Sequence, residues 1–279
     1  MKIEITPKRD IVFKRIFGTK GSEGILKDFL ESILEMKIQS VSLDLATEIL
    51  PEFETGKKTR IDVRTNLNDG TQVNVEMQID TSAYSEKRCL EYWSRLYGNA
   101  IEAGEDYDVL RKTICIWILD GEVYEEFQKY HSKWKIQETE LGLVGHFEEI
   151  EIHVIELSKF RRDAIIKPKK KEFWLSFIDY QNKEMVRMAC EKNDKIAEAR
   201  EILDKLHSDK EMMDLIRRQE LYERDQIGAL KRAKREGMEQ GVKQEKRETA
   251  KKLKEMGMSI SQISEITGLS EKEIEEITK

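Results

Sequence analysis

The stretch from Thr59 to Asp80 limits what this chain can fold into more than any other. Two runs, Thr59-Arg-Ile-Asp-Val-Arg-Thr-Asn-Leu67 and Thr71-Gln-Val-Asn-Val-Glu-Met-Gln-Ile-Asp80, alternate apolar and polar residues on either side of Asn68-Asp69-Gly70. A period of two marks a half-buried strand, and two such runs around a short glycine-containing loop predict a hairpin. Opposed side chains in an antiparallel pair point to the same face. The apolar set Ile61, Val63 and Leu67 must therefore oppose Val73, Val75, Met77 and Ile79. A three-residue loop, 68 to 70, does this by setting Val63 against Val75 and Ile61 against Met77, with Gly70 left-handed. A two-residue loop would set Val63 against Glu76 and scramble the core. The three-residue register also sets Asp62 across from Glu76, with Gln78 two residues along on the same face.

Two carboxylates with Cβ atoms about 5 Å apart repel unless something positive lies between them. Oxygen ligands of this kind suit Mg²⁺ or Mn²⁺, which are commonly held by one or two carboxylates beside a phosphate. Such an ion polarises a phosphoryl oxygen and generates a hydroxide nucleophile. The ordinary alternative for a polar strand face is simple solvation.

Asp62 followed after thirteen residues by Glu76-Met77-Gln78 resembles the PD-(D/E)XK phosphodiesterase motif, with Gln where Lys is usual. More specifically, the chain resembles the recombination-promoting nucleases of the Rpn group, also labelled transposases. Pro7, Asp10, Phe13-Lys14 and Phe17-Gly18 match that group's opening, Asp-x-x-Phe-Lys-x-x-Phe-Gly. Phe29-Leu30, Ile33-Leu34, Lys58 and Asp69-Gly70 continue the pattern, and Arg88, Tyr92, Tyr97, Gly104 and Tyr107 extend it. The segment Gly237 to Ile277 is similar to the group's C-terminal segment, whereas residues 160–235 match only in character.

The resemblance implies an α/β, restriction-endonuclease-like core of order α-β-β-β-α-β, a central mixed sheet flanked by helices, with an all-α C-terminal extension. It implies a divalent-metal-dependent DNA endonuclease linked to recombination or mobile-element processing. Asp62 and Glu76 would ligate Mg²⁺ or Mn²⁺, and Gln78 would orient the attacking water. Lys can stabilise a developing pentavalent phosphate by charge, whereas Gln offers only neutral hydrogen bonds. Arg88, Tyr92 and Arg95 lie on nearby faces and are candidate phosphate contacts, and Asp10 and Lys14, which share a helical face, are candidate substrate-binding residues or simply a surface pair. The competing reading is an inactive nuclease-fold protein that binds DNA or protein through its helical tail.

A length of 279 residues allows one large domain with accessories, or two. The expected division is a core over 1–165, a helical extension over 166–236 and a helical tail over 237–279. Hydrophobic residues at 39% and charged residues at 37% describe a globular core under a charged helical surface. A net charge of −6 argues against a basic coat, so affinity for DNA must come from a local patch or from metal. Cys89, Cys115 and Cys190 form no ligand pattern and read as buried or free thiols of a reducing cytoplasm. The four histidines show no zinc spacing. No apolar run approaches the length of a membrane span and the N-terminus lacks a signal-peptide core, so a cytoplasmic protein is expected.

Along the chain, Thr6-Pro7 predicts the cap of a first helix, with Phe13, Ile16 and Phe17 as its apolar stripe. A second helix is expected over 22–36, a strand over 41–50, an aromatic-rich helix over 83–103, a doubly buried strand over 111–119 and a fifth strand over 149–157. Lys167-Pro-Lys-Lys-Lys171 reads as a solvated connection. The chain is helical in pattern from 171 to 256, with ten basic against five acidic residues between 231 and 255. The end has the form of two short helices around Thr267-Gly268-Leu269-Ser270, with Ser270 and Glu273 as a capping box. Glu271, Glu273, Glu275 and Glu276 make its second helix a poor partner for phosphates, which favours packing or self-association, and hence a homodimer, over DNA reading.

Overall fold

The computed structural model of the chain describes residues 5–44, 63–79, 85–163 and 165–277. The hairpin forms as its alternation requires. β2 (Val63–Leu67) and β3 (Gln72–Gln78) pair antiparallel, with Val63 opposite Val75 and Thr65 opposite Val73. Leu67 N donates to Thr71 O at 2.8 Å and Gly70 N donates to Leu67 O at 3.0 Å, which closes the loop at 68–70. Gly70 adopts φ 86°, a left-handed conformation that costs glycine little.

The hairpin sits in a six-stranded sheet of order β1-β2-β3-β4-β6-β5. β4 (Thr113–Leu119) is buried at every residue, as its unbroken apolar run predicts, and pairs parallel with both β3 and β6 (Ile150–Glu156). β1 (Val41–Leu43) is shorter than the expected 41–50, of which residues 45–50 lie outside the described residues. β5 (His131–Trp134) is an unanticipated edge strand, which makes the strand near 149–157 the sixth in chain order rather than the fifth.

Helices cover both faces. On the Val63 face lie α1 (Asp10–Phe17) and α2 (Glu23–Leu34), backed by α5 (Lys170–Asp179) and α7 (Asp194–Ser208). Phe17, Phe29 and Trp174 meet there with ring centroids 5.2–5.8 Å apart. α1 begins later than Thr6-Pro7 predicts. Those two residues form a preceding turn closed by Arg9 N to Thr6 O at 3.1 Å, and Arg9 is the N-cap. Asp28 on α2 accepts from Trp174 Nε1 and Asn193 Nδ2, both at 2.7 Å, and pairs with Lys170 at 2.6 Å. Lys171 pairs with Glu35 at 2.9 Å. Two lysines of the basic run thus tie α5 to α2 rather than lying solvated in a connection.

On the opposite face, α3 (Ser85–Gly98) buries Cys89 against Cys115, Trp117, Leu119 and Val154. At the end of β6, the fully buried pair Glu156 and Lys159 (2.7 Å) pins the segment that follows β4, because Glu156 Oε1 also accepts from Val123 N and Tyr124 N. A buried ion pair survives only when hydrogen bonds satisfy its remaining polar atoms, and here they do.

Contacts divide the chain into Met1–Met213 and Asp214–Lys279, the boundary falling inside α8 (Lys210–Glu255). The second unit holds the rest of α8, α9 (Ile260–Thr267) and α10 (Glu271–Ile277). Ser259 with Gln262 and Ser270 with Glu273 form the capping interactions, the second as predicted, and Gly268 ends α9 at φ 66°. Ala250, Ile263, Leu269 and Ile274 make a small core of their own. That set packs within the unit, while Met256 and Ile266 remain exposed. No helix of the described residues is long and apolar enough to cross a membrane.

Candidate active site

Neighbours across strands share a face, so the registers define two rows on β3. Val73, Val75 and Met77 face α1. Gln72, Asn74, Glu76 and Gln78 face the α3 side, level with Thr113, Cys115, Trp117 and Leu119 on β4. Unlike a half-solvated hairpin face, this row is enclosed: Glu76 is 1% exposed and Asn74 0%. Glu76 accepts from Gln78 Nε2 at 3.1 Å and from Asn74 Nδ2 at 3.4 Å. Asn74 Oδ1 is a buried acceptor with no partner. A carboxylate moved into a sheet interior loses its hydration, and neutral amides replace only part of it.

The expected site residues fall as follows. Glu76 and Gln78 meet directly. Asp62 lies outside the described residues, as does Ile61, so neither opposition called for them is observed. The described register runs up to Val63 opposite Val75. Lys14 is 5% exposed on α1. A Cβ placed at Gly18 would lie 3.2 Å from Lys14 Cγ and 3.2 Å from Val63 Cγ2, so the lysine stem and the start of β2 converge on that glycine. This close approach explains the Phe17-Gly18 step. Asp10 opens α1 and is half-buried. Arg88 Nε donates to Tyr92 Oη at 3.0 Å, and the Tyr92 ring lies 6.4 Å from that of Trp117, the cross-strand neighbour of Glu76.

Reading the sequence alone missed two features beside this row. Asn74 shares the period-two spacing of Glu76 and Gln78 and could have been found by it. At the end of β3, Asp120 N donates to Gln78 O at 2.9 Å, and the Asp120 and Asp179 carboxylates are bridged by Lys8 (3.2 and 3.3 Å) and by Arg161. Burial works against the Arg161 charge, but the two carboxylates overcome it and raise its pKa. These four residues come from distant parts of the chain, and no local pattern announces them.

A second polar network lies on the α1-side face. His131 on β5 and His153 on β6 approach at 2.9 Å, and His153 contacts Glu151 at 2.8 Å. Lys112 and Lys133 each reach Glu151 at 2.7 Å. Burial opposes ionisation of Glu151, yet hydrogen bonds from His153 and the lysines hold its carboxyl well below the usual range. Burial, with His153 and Lys171 nearby, pushes His131 down to about 4. Among the described residues, no group of three or more His, Cys, Asp or Glu side chains is placed to hold a metal.

α3 lines two different cavities. Its N-terminal half borders an apolar one of about 320 Å³ over β4, β6 and β5, with Trp117, Tyr124 and Trp134 in its walls. Its C-terminal half borders a polar cleft of about 280 Å³ over β2 and β3.

A mixed sheet flanked by helices on both faces, with an acid-amide row on β3, is the architecture of a PD-(D/E)XK nuclease-like core. A family model described as PD-(D/E)XK nuclease family transposase matches residues 7–233 of the 279, and the chain belongs to that family. No curated protein and no solved structure matches it.

Proposed function

We propose that the chain is a divalent-metal-dependent DNA endonuclease, hydrolysing phosphodiester bonds in recombination or mobile-element processing. The observation that carries this reading is the buried Glu76, placed between two amides of which one leaves a buried oxygen unpartnered. That donor set fits a hard cation such as Mg²⁺ or Mn²⁺, which prefers carboxylate and carbonyl oxygen. When bound, the ion polarises the phosphoryl oxygen and lowers the pKa of water.

Glu76 and Asp62 hold the ion in this reading. Asp62 lies outside the described residues and directly precedes Val63, and the alternation of the sequence is what supports its pairing with Glu76. Gln78 orients the attacking water through its amide. It brings no charge where the motif's usual lysine would, and Lys14, on the α1 side of the sheet beside Val63, is a substrate contact rather than a stand-in for that lysine. Arg88, steadied by Tyr92, holds a substrate phosphate, and Asp10 orients Lys14 from the preceding turn of α1. The chain acts as a homodimer through its tail, where Met238, Val242, Met256 and Ile266 are exposed apolar residues.

The test is nicking of supercoiled plasmid in Mg²⁺ or Mn²⁺, abolished by EDTA, by Glu76→Gln and by Asp62→Ala. DNA that is bound but never cut by the wild type would instead establish a nuclease-fold binding module. Deleting 236–279 lowers the mass measured by light scattering while the cleavage pattern stays the same. A truncated chain that keeps its mass and changes its cleavage preference makes the tail a DNA reader.

A further inference from the structure

We infer that the polar cleft between the β2–β3 hairpin and the C-terminal half of α3 is a second phosphate site, which takes a backbone phosphate of the nucleic-acid substrate about two nucleotides from the scissile one. The inference rests on the nuclease reading of the Glu76 row and extends it along the same strand. The sheet contributes Arg64, Asn66 and Gln72 to the cleft, α3 contributes Arg95, and the turn just after α3 contributes Asn99. Asp44 is the one acid in the lining, so two guanidinium groups face one carboxylate. Arg64 is directly opposite Asn74, which places it on the Glu76 face.

Three considerations favour a phosphate as the occupant. Guanidinium forks match phosphate oxygens in pairs, and Asn and Gln amides are common donors to nucleic-acid backbones. The chain carries a net charge of −6, so a strand of DNA needs a local concentration of arginine to be held at all. Arg95 is 61% exposed and is paired only along its own helix with Glu91, an interaction worth a few tenths of a kcal/mol that a phosphate displaces at little cost.

The spacing supplies the number of nucleotides. Gln72, in the cleft, lies four residues before Glu76 on an extended strand, about 13 Å away. Successive phosphates of one strand advance about 3.4 Å along the axis and also wind around it about ten to the turn, so a straight span of this size joins phosphates about two nucleotides apart. The row on β3 then acts as a ruler with the reacting phosphate at one end and an anchored one at the other.

The test uses the full chain, with Ca²⁺ in place of Mg²⁺, and fluorescence anisotropy on a labelled duplex. Arg95→Ala weakens binding about tenfold and lowers the slope of log affinity against log salt by about 0.9, the loss of one phosphate contact. Neutral methylphosphonates are then introduced one position at a time. In the wild type, one position about two nucleotides from the cut mapped in Mn²⁺ gives a comparable loss, and the same substitution costs Arg95→Ala nothing more. Asn99→Asp, which adds a second carboxylate to the cleft, reproduces the position-specific loss.

The site is overturned if Arg95→Ala matches the wild type in affinity and salt slope. It is overturned too if the methylphosphonate penalty persists in that variant, or if the wild type binds no duplex. Failure of the nuclease reading shows differently: Glu76→Gln then cuts as well as the wild type while the Arg95 coupling remains.

Discussion

β3 and β4 are neighbours in register and are buried alike, yet one carries a polar row where the other is apolar. On the α3 side, Asn74, Glu76 and Gln78 of β3 stand beside Cys115, Trp117 and Leu119 of β4. β4 shows what a central parallel strand does when only stability matters: it is apolar on both faces. β3 gives up that gain at three successive positions of one face. A buried carboxylate beside an orphaned amide oxygen is a cost to the fold, and such costs persist where chemistry needs them. The difference between the two strands marks the β3 row as the candidate site without reference to any motif.

The comparison is broken most decisively at the opposed pair Glu76 and Trp117. Glu76→Gln should lower metal-dependent cleavage by a factor of at least about 10³, or about 4 kcal/mol of barrier, while the metal-free melting temperature stays constant or rises. A large drop in melting temperature would make Glu76 structural and the contrast meaningless. Trp117→Ala should do the opposite, costing about 3–5 kcal/mol in urea unfolding through the cavity it leaves.

Outside the row, the His131 network provides a control in which polar burial is paired but lies away from Glu76. His131 titrates near 4 when folded and near 6.5 when unfolded, so below about 6.5 the unfolded chain takes up a proton that the folded chain refuses. Stability should fall as pH drops from about 6.5 towards 4, by about 1–3 kcal/mol after allowing for partial exposure and the nearby His153, Glu35, Lys133 and Lys171. His131→Gln should flatten that acid limb in pH-dependent denaturation, and an unchanged limb would refute the assignment.

The smallest effect sharpens the comparison from the β3 side. Asn74→Val removes the orphaned Oδ1 together with the amide that donates to Glu76, so the two effects oppose and metal-free stability should change by no more than about 1 kcal/mol. It should also weaken Mn²⁺ binding followed by electron paramagnetic resonance. Equal Mn²⁺ affinity in the variant would remove Asn74 from the metal-facing set.

The hairpin was legible in the sequence because a strict period of two with a single core face admits one loop length. β4 was legible because few elements other than a doubly covered strand tolerate Ile114-Cys-Ile-Trp-Ile-Leu119. β5 was not: His131-Ser-Lys-Trp134 is four residues long, and its place is fixed by β6 and the His131–His153 contact rather than by its own composition. The start of α1 slipped because Thr6-Pro7 carries a cap signal that the chain spends on a turn. The Lys8, Asp120, Arg161 and Asp179 cluster was invisible for a different reason, since its partners are 18 to 171 positions apart. Part of the candidate site, Glu76 with Gln78, followed from alternation. Its enclosure did not, because the wall behind it comes from β4 and α3.

That wall also sets an order of events. The β2–β3 hairpin closes over three residues, whereas β4 begins 35 positions after β3 ends, with α3 in between. Closing the longer loop costs more chain entropy, so the parallel contact forms after the local one. During synthesis the chain therefore exposes Glu76 on a bare hairpin in water before the enclosing strand has left the ribosome. A carboxylate in that setting is fully hydrated and has no orphaned amide beside it. The enclosed geometry of the row thus arrives late, after the local hairpin has formed.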